Sequence, residues 1–272
     1  MPITSPPPTR DERSRTYRPR IKICGLTREQ DVRAAAELGA DLLGFIHVPG
    51  SPRHLDLHRL AELLATVPPG PETVVVVRNE PDATLKTLRN HLNFHWFQFH
   101  GDESPEKVAQ WGGYKVVHVP ADATSLDATI APRDPFFLLD TSVKGQSGGT
   151  GKTFDWGLLA RVEGACLVAG GLRPDNVGRL VETWHPWGID VSSGVESAPG
   201  RKDPDALRRF FAEIDRACGR PATSRATGQA PHDSGTLPSA TGREDHSSRS
   251  RRHQPIQPER DSAPKNQNQE NS

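Results

Sequence analysis

Residues 20–48 read RIKICGLTREQDVRAAAELGADLLGFIHV, and this stretch decides the fold. Arg20–Cys24 is a short apolar run and Leu42–Val48 is another. Between them, Thr27 and Gln30 have capping-box spacing ahead of an Ala-rich helical segment, and Gly39 stands where such a helix would stop. A helix between two strands is the crossover that parallel pairing requires.

Outward from there the same unit recurs. Further strand candidates are Val74–Arg78, Trp96–Phe99, Lys115–Val119, Phe136–Asp140, Leu167–Ala169 and Ile189–Ser192. Most are continuous runs of Val, Ile, Leu or Phe, the pattern of strands buried on both faces of a parallel sheet. Helical patterns follow from Asp56 to Leu64, Asp82 to His91, Pro105 to Gln110, Asp155 to Val162, Pro174 to Thr183 and Pro204 to Ala217, with a weak signal between Asp122 and Ile130. Eight βα repeats in about 200 residues predict an α/β fold, a single closed (β/α)₈ TIM barrel. An open doubly wound sheet is the alternative.

Composition separates this unit from its flanks. Residues 1–19 and 220–272 hold only 10 hydrophobic side chains in 72 positions, which leaves the middle roughly 41% hydrophobic, ordinary for a globular domain. The ends are therefore expected to be a disordered arm and a disordered polar tail, unable to bury enough surface to offset their ordering entropy. The overall balance of 34 basic and 34 acidic residues conceals a mildly acidic middle, with 22 against 26. That balance argues against nucleic acid as a partner. No apolar run reaches membrane-spanning length, the N-terminus lacks a secretory apolar region, and three widely spaced cysteines give no disulfide framework. A cytoplasmic protein without a membrane partner is expected.

In a barrel, chemistry belongs at the C-terminal ends of the strands. Cys24-Gly25, Ser51-Pro-Arg53, His100-Gly101, Asp140-Thr141, Gly170-Gly171 and Ser192-Ser193-Gly194 all fall there. The glycines after strands 7 and 8 let backbone amides approach a phosphate closely. Cys24 is a candidate base or nucleophile, whereas Cys166 and Cys218 read as ordinary buried thiols. Asp140, closing the apolar run Phe136-Phe-Leu-Leu, is a candidate general acid kept protonated by desolvation. His91 and His95 have zinc-like spacing but no third ligand in register, so no metal is expected. The segment from Gly145 to Thr153 resembles a P-loop but has Gln146 where that motif needs glycine. Gly148, Gly149 and Gly151 read instead as part of a mobile loop over a ligand.

The ordered blocks Lys22-Ile-Cys-Gly-Leu-Thr, Gly39-Ala-Asp-Leu-Leu-Gly-Phe-Ile, Ser51-Pro-Arg, Gln98-Phe-His-Gly, Leu138-Leu-Asp-Thr, Gly148-Gly-Thr-Gly-Lys-Thr-Phe-Asp-Trp, Ala169-Gly-Gly-Leu-Arg-Pro-Asp-Asn-Val and Asp190-Val-Ser-Ser-Gly-Val-Glu-Ser-Ala-Pro-Gly-Arg-Lys-Asp closely resemble the phosphoribosylanthranilate isomerase family. The resemblance covers essentially all of 20–217, with small departures at Phe99 and at Val77-Arg78. It implies an Amadori rearrangement in tryptophan biosynthesis, with Asp140 as general acid, Cys24 as general base and no cofactor. It further implies Arg53 as the partner of the anthranilate carboxylate and His100 lining the substrate. Gly170, Gly171, Ser193 and Gly194 would hold the phosphate.

Two rival readings differ in what they require. Another ribose-phosphate barrel enzyme, such as a metal-dependent epimerase, would want His and Asp ligands at several strand ends. A catalytically silent phospho-sugar-binding barrel would lack the acid or the base, and both are present. A monomer and a homodimer suit this architecture equally.

Overall fold

The computed structural model describes residues 17–126, 136–142 and 151–220. Eight parallel strands close into a barrel: β1 (Arg20–Ile23), β2 (Leu42–Ile46), β3 (Glu72–Val77), β4 (Trp96–Phe99), β5 (Gly113–Pro120), β6 (Phe137–Ser142), β7 (Cys166–Val168) and β8 (Gly188–Val191). The β1–β8 ladder, with Lys22 opposite Asp190, completes the ring and excludes the open sheet. Around it run α1 (Glu29–Glu37), α2 (Leu57–Ala65), α3 (Asp82–His91), α4 (Pro105–Trp111), α5 (Pro174–Trp184) and α6 (Pro204–Ala217).

Alternation along each strand sorts the side chains into two apolar layers. Ile21, Ile23, Phe97, Phe99, Phe137 and Leu139 pack outward with the helices. Leu42, Val74, Trp96, Tyr114, Val116, Phe136, Leu138 and Leu167 fill the barrel interior. Period two then dictates what stands at the mouth. Continuing the inward rows brings up Cys24 after Lys22, His100 after Trp96 and Gln98, His118 after Tyr114 and Val116, and Asp140 after Phe136 and Leu138. An interior filled with side chains to that height makes the mouth a shallow bowl on a solid floor.

Three local expectations change. Thr27 is not the cap of α1: the helix starts at Glu29 after an extended Arg28, and the Thr27 hydroxyl donates to Gly200 O at 2.5 Å. A tertiary acceptor has outcompeted the local one. The segment expected as a helix from Asp155 to Val162 is a 3₁₀ helix, Trp156–Arg161, tightened where the Asp155 carboxylate accepts from Gly157 N. The barrel also begins before residue 20, because the Tyr17 hydroxyl donates to Pro186 O and Arg18 pairs with Asp41 at 2.8 Å. Residues 1–16 and 221–272, with the arm and tail expected there, lie outside the described residues. So do Gly148 and Gly149 of the expected loop, and 127–130 of the weak helical signal.

Candidate active site

Cys24 follows β1 and is 5% exposed, its amide donating to Val191 O at 2.9 Å. Its sulfur converges with the Lys22 ammonium over Gly44. A Cβ at position 44 would lie 2.9 Å from Cys24 Sγ and 3.0 Å from Lys22 Nζ, so only glycine leaves the thiol its place. Lys22 is fully buried and pairs with Asp190 Oδ1 at 3.1 Å. Burial opposes the Lys22 charge, but Asp190 and then Cys24 outweigh it, and the ammonium ends above its usual range. Burial pushes the Cys24 thiol up, while Lys22 pulls it back down.

Asp140 ends the inward row of β6, and its carboxyl is pushed up to about 7. Burial is the main cause and the nearby Asp190 charge adds to it, whereas Lys22 and the Thr141 amide oppose it. An acid that is half protonated near neutral pH can give up a proton without needing acidic solvent.

His100 Nε2 sits 3.6 Å from Asp140 Oδ2. Burial, then His118, lowers the His100 pKa to about 3, so the contact joins a neutral ring to a carboxyl and is not an ion pair. The Tyr114 hydroxyl donates to Gln98 Oε1 at 2.8 Å, and the Gln98 amide nitrogen faces His100 Nδ1 at 3.3 Å. This relay, with Gln98 donating, leaves the His100 hydrogen on Nε2.

Arg53 stands against Gly25, where a Cβ would collide with Arg53 Cδ at 2.5 Å. Its Nε donates to Glu196 Oε1 at 2.9 Å and its Nη2 to Glu196 Oε2. The side edge of the guanidinium is thus taken, and the end edge, Nη1 with the outer hydrogen of Nη2, remains to meet a second carboxylate. Lys202, 1% exposed, donates to Glu196 Oε1 and Cys24 O at 2.7 Å each and to Ser192 O at 3.0 Å. One buried ammonium therefore ties the ends of β1 and β8 to the carboxylate that holds Arg53.

Next along the rim, after β7, Gly170 and Gly171 adopt left-handed φ values of 88° and 65°. A Cβ on Gly194 would fall 1.8 Å from Leu172 O, so the loops after β7 and β8 touch backbone to backbone. Ser193 opens the 3₁₀ turn Ser193–Val195 beside them. Gly151, the described part of the expected loop, accepts from Arg173 Nη1 at 3.2 Å.

Cys24, Arg53, His100, Asp140, Gly170, Gly171, Ser193 and Gly194 therefore share one rim. Cys166 lies at the start of β7, on the other rim, and Cys218 caps α6, as expected. His91 and His95 do not converge: Nδ1 of His91 faces Thr87 O and Nδ1 of His95 accepts from Thr73 N, both at 2.9 Å. Lys22, Asp190, Glu196 and Lys202 stand in the blocks that carry the resemblance, but the sequence alone assigns them no role. Alternation along β1 and β8 marks the first two as inward, but the contacts of Glu196 and Lys202 depend on loop geometry that no local pattern encodes.

Residues 21–213 match the family model described as N-(5'phosphoribosyl)anthranilate (PRA) isomerase. An N-(5'-phosphoribosyl)anthranilate isomerase from Thiobacillus denitrificans is 42% identical over 198 residues, covering 71% of this chain and 97% of the relative. The crystal structure of phosphoribosyl anthranilate isomerase from Thermotoga maritima is similar at 31% identity and a TM-score of 0.66, covering 73% of this chain and 99% of that one. A second crystal structure, of the isomerase in complex with reduced 1-(o-carboxyphenylamino)-1-deoxyribulose 5-phosphate, matches at 30% identity and a TM-score of 0.63, with the same coverage. With the family model spanning most of the chain and the barrel closed in the same way, the chain belongs to the N-(5'-phosphoribosyl)anthranilate isomerase family, the (β/α)₈ isomerases of tryptophan biosynthesis.

Proposed function

We propose that this mouth converts N-(5-phosphoribosyl)anthranilate into 1-(2-carboxyphenylamino)-1-deoxyribulose 5-phosphate, with Asp140 as general acid and Cys24 as general base. The observation that carries the assignment is the Asp140 carboxyl, held at about 7 by burial at the end of an inward row. Asp140 protonates the furanose oxygen, and the ring opens to an iminium. The iminium withdraws electrons from the adjacent carbon, whose proton passes to the Cys24 thiolate. The resulting enolamine tautomerises to the ketone, so the chemistry calls on no cofactor.

The rest of the rim positions the substrate. The end edge of Arg53 receives the anthranilate carboxylate, with Glu196 holding the other edge. His100 lines the sugar side, and backbone amides of Gly170, Gly171, Ser193 and Gly194 receive the phosphate, with Gly148, Gly149 and Gly151 in the loop that covers it. The protein acts in the cytoplasm as a monomer or homodimer; among the described residues no helix is long and apolar enough to cross a membrane.

The test is turnover of freshly made phosphoribosylanthranilate, followed by loss of its fluorescence. Cys24→Ala and Asp140→Asn should each lower kcat by roughly 10²–10⁴ with the circular dichroism spectrum retained. Cys166→Ala should stay near the parent rate. Full activity in Cys24→Ala would reject the acid–base pair.

A further inference from the structure

The barrel mouth carries a second constellation, which shares Asp140 and His100 with the proposed isomerisation and adds His118, a residue that reaction does not call upon. His100, His118 and Asp140 each direct one ligand atom into a space where all three lie within 4.8 Å of one another. His100 directly follows β4, while His118 on β5 and Asp140 on β6 are ladder partners. The His100 and His118 rings meet edge to face with centroids 4.9 Å apart.

From these positions we propose that His100, His118 and Asp140 form a site for a late first-row divalent cation, Zn²⁺ above all, which inhibits the isomerase by occupying its general acid. The inhibitory consequence rests on the acid role proposed for Asp140; the binding of the metal does not.

The donor set suits the ion. Two imidazoles and one carboxylate are ligands that zinc accepts, and three protein ligands leave a fourth position open to water. Tetrahedral bonds of about 2.0–2.1 Å put neighbouring ligand atoms about 3.3 Å apart. His100 Nε2 and Asp140 Oδ2 already stand at 3.6 Å. His118, the exposed member, would close the remaining gap by a side-chain rotation, since its ring is held by a long contact from Nε2 to His100 O at 3.4 Å and by the edge-to-face contact with the His100 ring.

The ligating tautomer of His100 also has a support. Coordination through Nε2 moves the hydrogen to Nδ1, which faces Gln98. Turning over the Gln98 amide presents its oxygen to that hydrogen and its nitrogen to the Tyr114 hydroxyl oxygen, so the relay stays connected in the reverse sense. A hydrogen bond to the far nitrogen of a ligating histidine orients the ring and strengthens its basicity. A carboxylate bound to Zn²⁺ has no proton to give, which is how occupancy stops ring opening.

The experiment uses the full chain, metal-free, with ZnCl₂ and CoCl₂ as probes and MgCl₂ as control. His118→Gln removes one ligand while leaving Asp140 and Cys24 in place. Wild type should be inhibited by Zn²⁺ and not by Mg²⁺. His118→Gln should need at least about tenfold more Zn²⁺ for half inhibition, with kcat/KM in metal-free buffer within about twofold of wild type. Co²⁺ bound to wild type should show d–d absorption without a thiolate charge-transfer band. That absorption should weaken in His118→Gln and in Asp140→Asn alike. Equal Zn²⁺ sensitivity in wild type and His118→Gln, or a thiolate band that assigns the metal to Cys24, would overturn the site. If Asp140→Asn kept full turnover while Co²⁺ binding still depended on His118, the acid assignment would fail and the metal site would stand.

Discussion

Lys22 and Asp190, ladder partners on the two strands that close the barrel, form a buried ion pair at 3.1 Å beneath both the acid and the base. Asp190 raises, and Lys22 lowers, the pKa of Cys24 and of Asp140 alike. The pair is therefore a shared electrostatic floor whose two members push the catalytic groups in opposite directions. Its position follows from β1–β8 register, so closure of the fold and tuning of the site are one geometric fact.

The pH dependence of kcat/KM follows from that floor. The productive free enzyme carries a proton on Asp140 and none on Cys24. Asp140 titrates at about 7 and Cys24 above its ordinary value of 9.0, so this form is a minor but constant share of the singly protonated enzyme between the two. The rate should rise through about pH 7, hold level, and decline above pH 9. Asp190→Asn removes the charge that raises both groups and should move both limbs to lower pH. Lys22→Met should move both to higher pH. Each variant leaves a buried charge unpaired, costing roughly 3–5 kcal/mol of stability, so the reading is the position of the limbs and not the height of the plateau. Limbs that stay in place in both variants would show that the pair does not tune the site.

Asp140 also costs the fold stability. Its folded value of about 7 lies above the ordinary 3.8, so between these limits the folded chain holds a proton that the unfolded chain has released. The favourable contribution is complete below pH 3.8 and is lost as pH rises through 7. Asp140→Asn should therefore be more stable than wild type at pH 8, by roughly 2–4 kcal/mol, and gain little at pH 4. Urea melts at the two pH values decide it; a difference independent of pH would mean that the carboxyl is not desolvated.

Much of this is legible in the residues, and what is not shares a cause. Continuous apolar runs such as Phe136-Phe-Leu-Leu mark the strands, and the rim residues follow once those strands close into a ring. All eight expected strands are present, with ends shifted by up to two residues. Thr27 departs from its local pattern because its hydroxyl finds Gly200, far away in sequence. Lys22 stands in a recognisable block without an evident role, because a buried lysine makes sense only beside Asp190, and pairing across 168 residues is a property of closure. His118 gives no local signal for a similar reason: its inward direction is clear only from counting along β5 past Tyr114 and Val116.

Gly44→Ala tests the placement of the base without replacing it. The new methyl would lie 2.9 Å from Cys24 Sγ and 3.0 Å from Lys22 Nζ, closer than carbon tolerates. Shifts of this kind cost roughly 1–3 kcal/mol in packing. A misplacement approaching 1 Å at a reacting atom costs about 10² in rate. The expected result is a folded protein with a lower melting temperature, a kcat reduced by about 10² and a KM near the parent value. A proportionate rise in KM with kcat intact would place Cys24 in substrate binding and take the proton transfer away from it.

Glu196 offers the sharpest separation of binding from chemistry. Its pKa is lowered: burial acts against the charge, and Arg53 and Lys202 outweigh burial. Glu196→Gln keeps the shape but gives Arg53 and Lys202 a neutral partner in place of a charged one. The guanidinium then loses the anchor that fixes its end edge, so the anthranilate carboxylate should bind more weakly. KM should rise by roughly 10-fold, the cost of one weakened charge-assisted contact, while kcat changes by less than about threefold. Lys202 also holds the backbone carbonyl of Cys24, so any disturbance carried through that lysine would appear in kcat instead. A steady-state comparison of the two constants therefore reports which of its two neighbours Glu196 serves: a change confined to KM assigns it to Arg53, and a change confined to kcat would refute the positioning role.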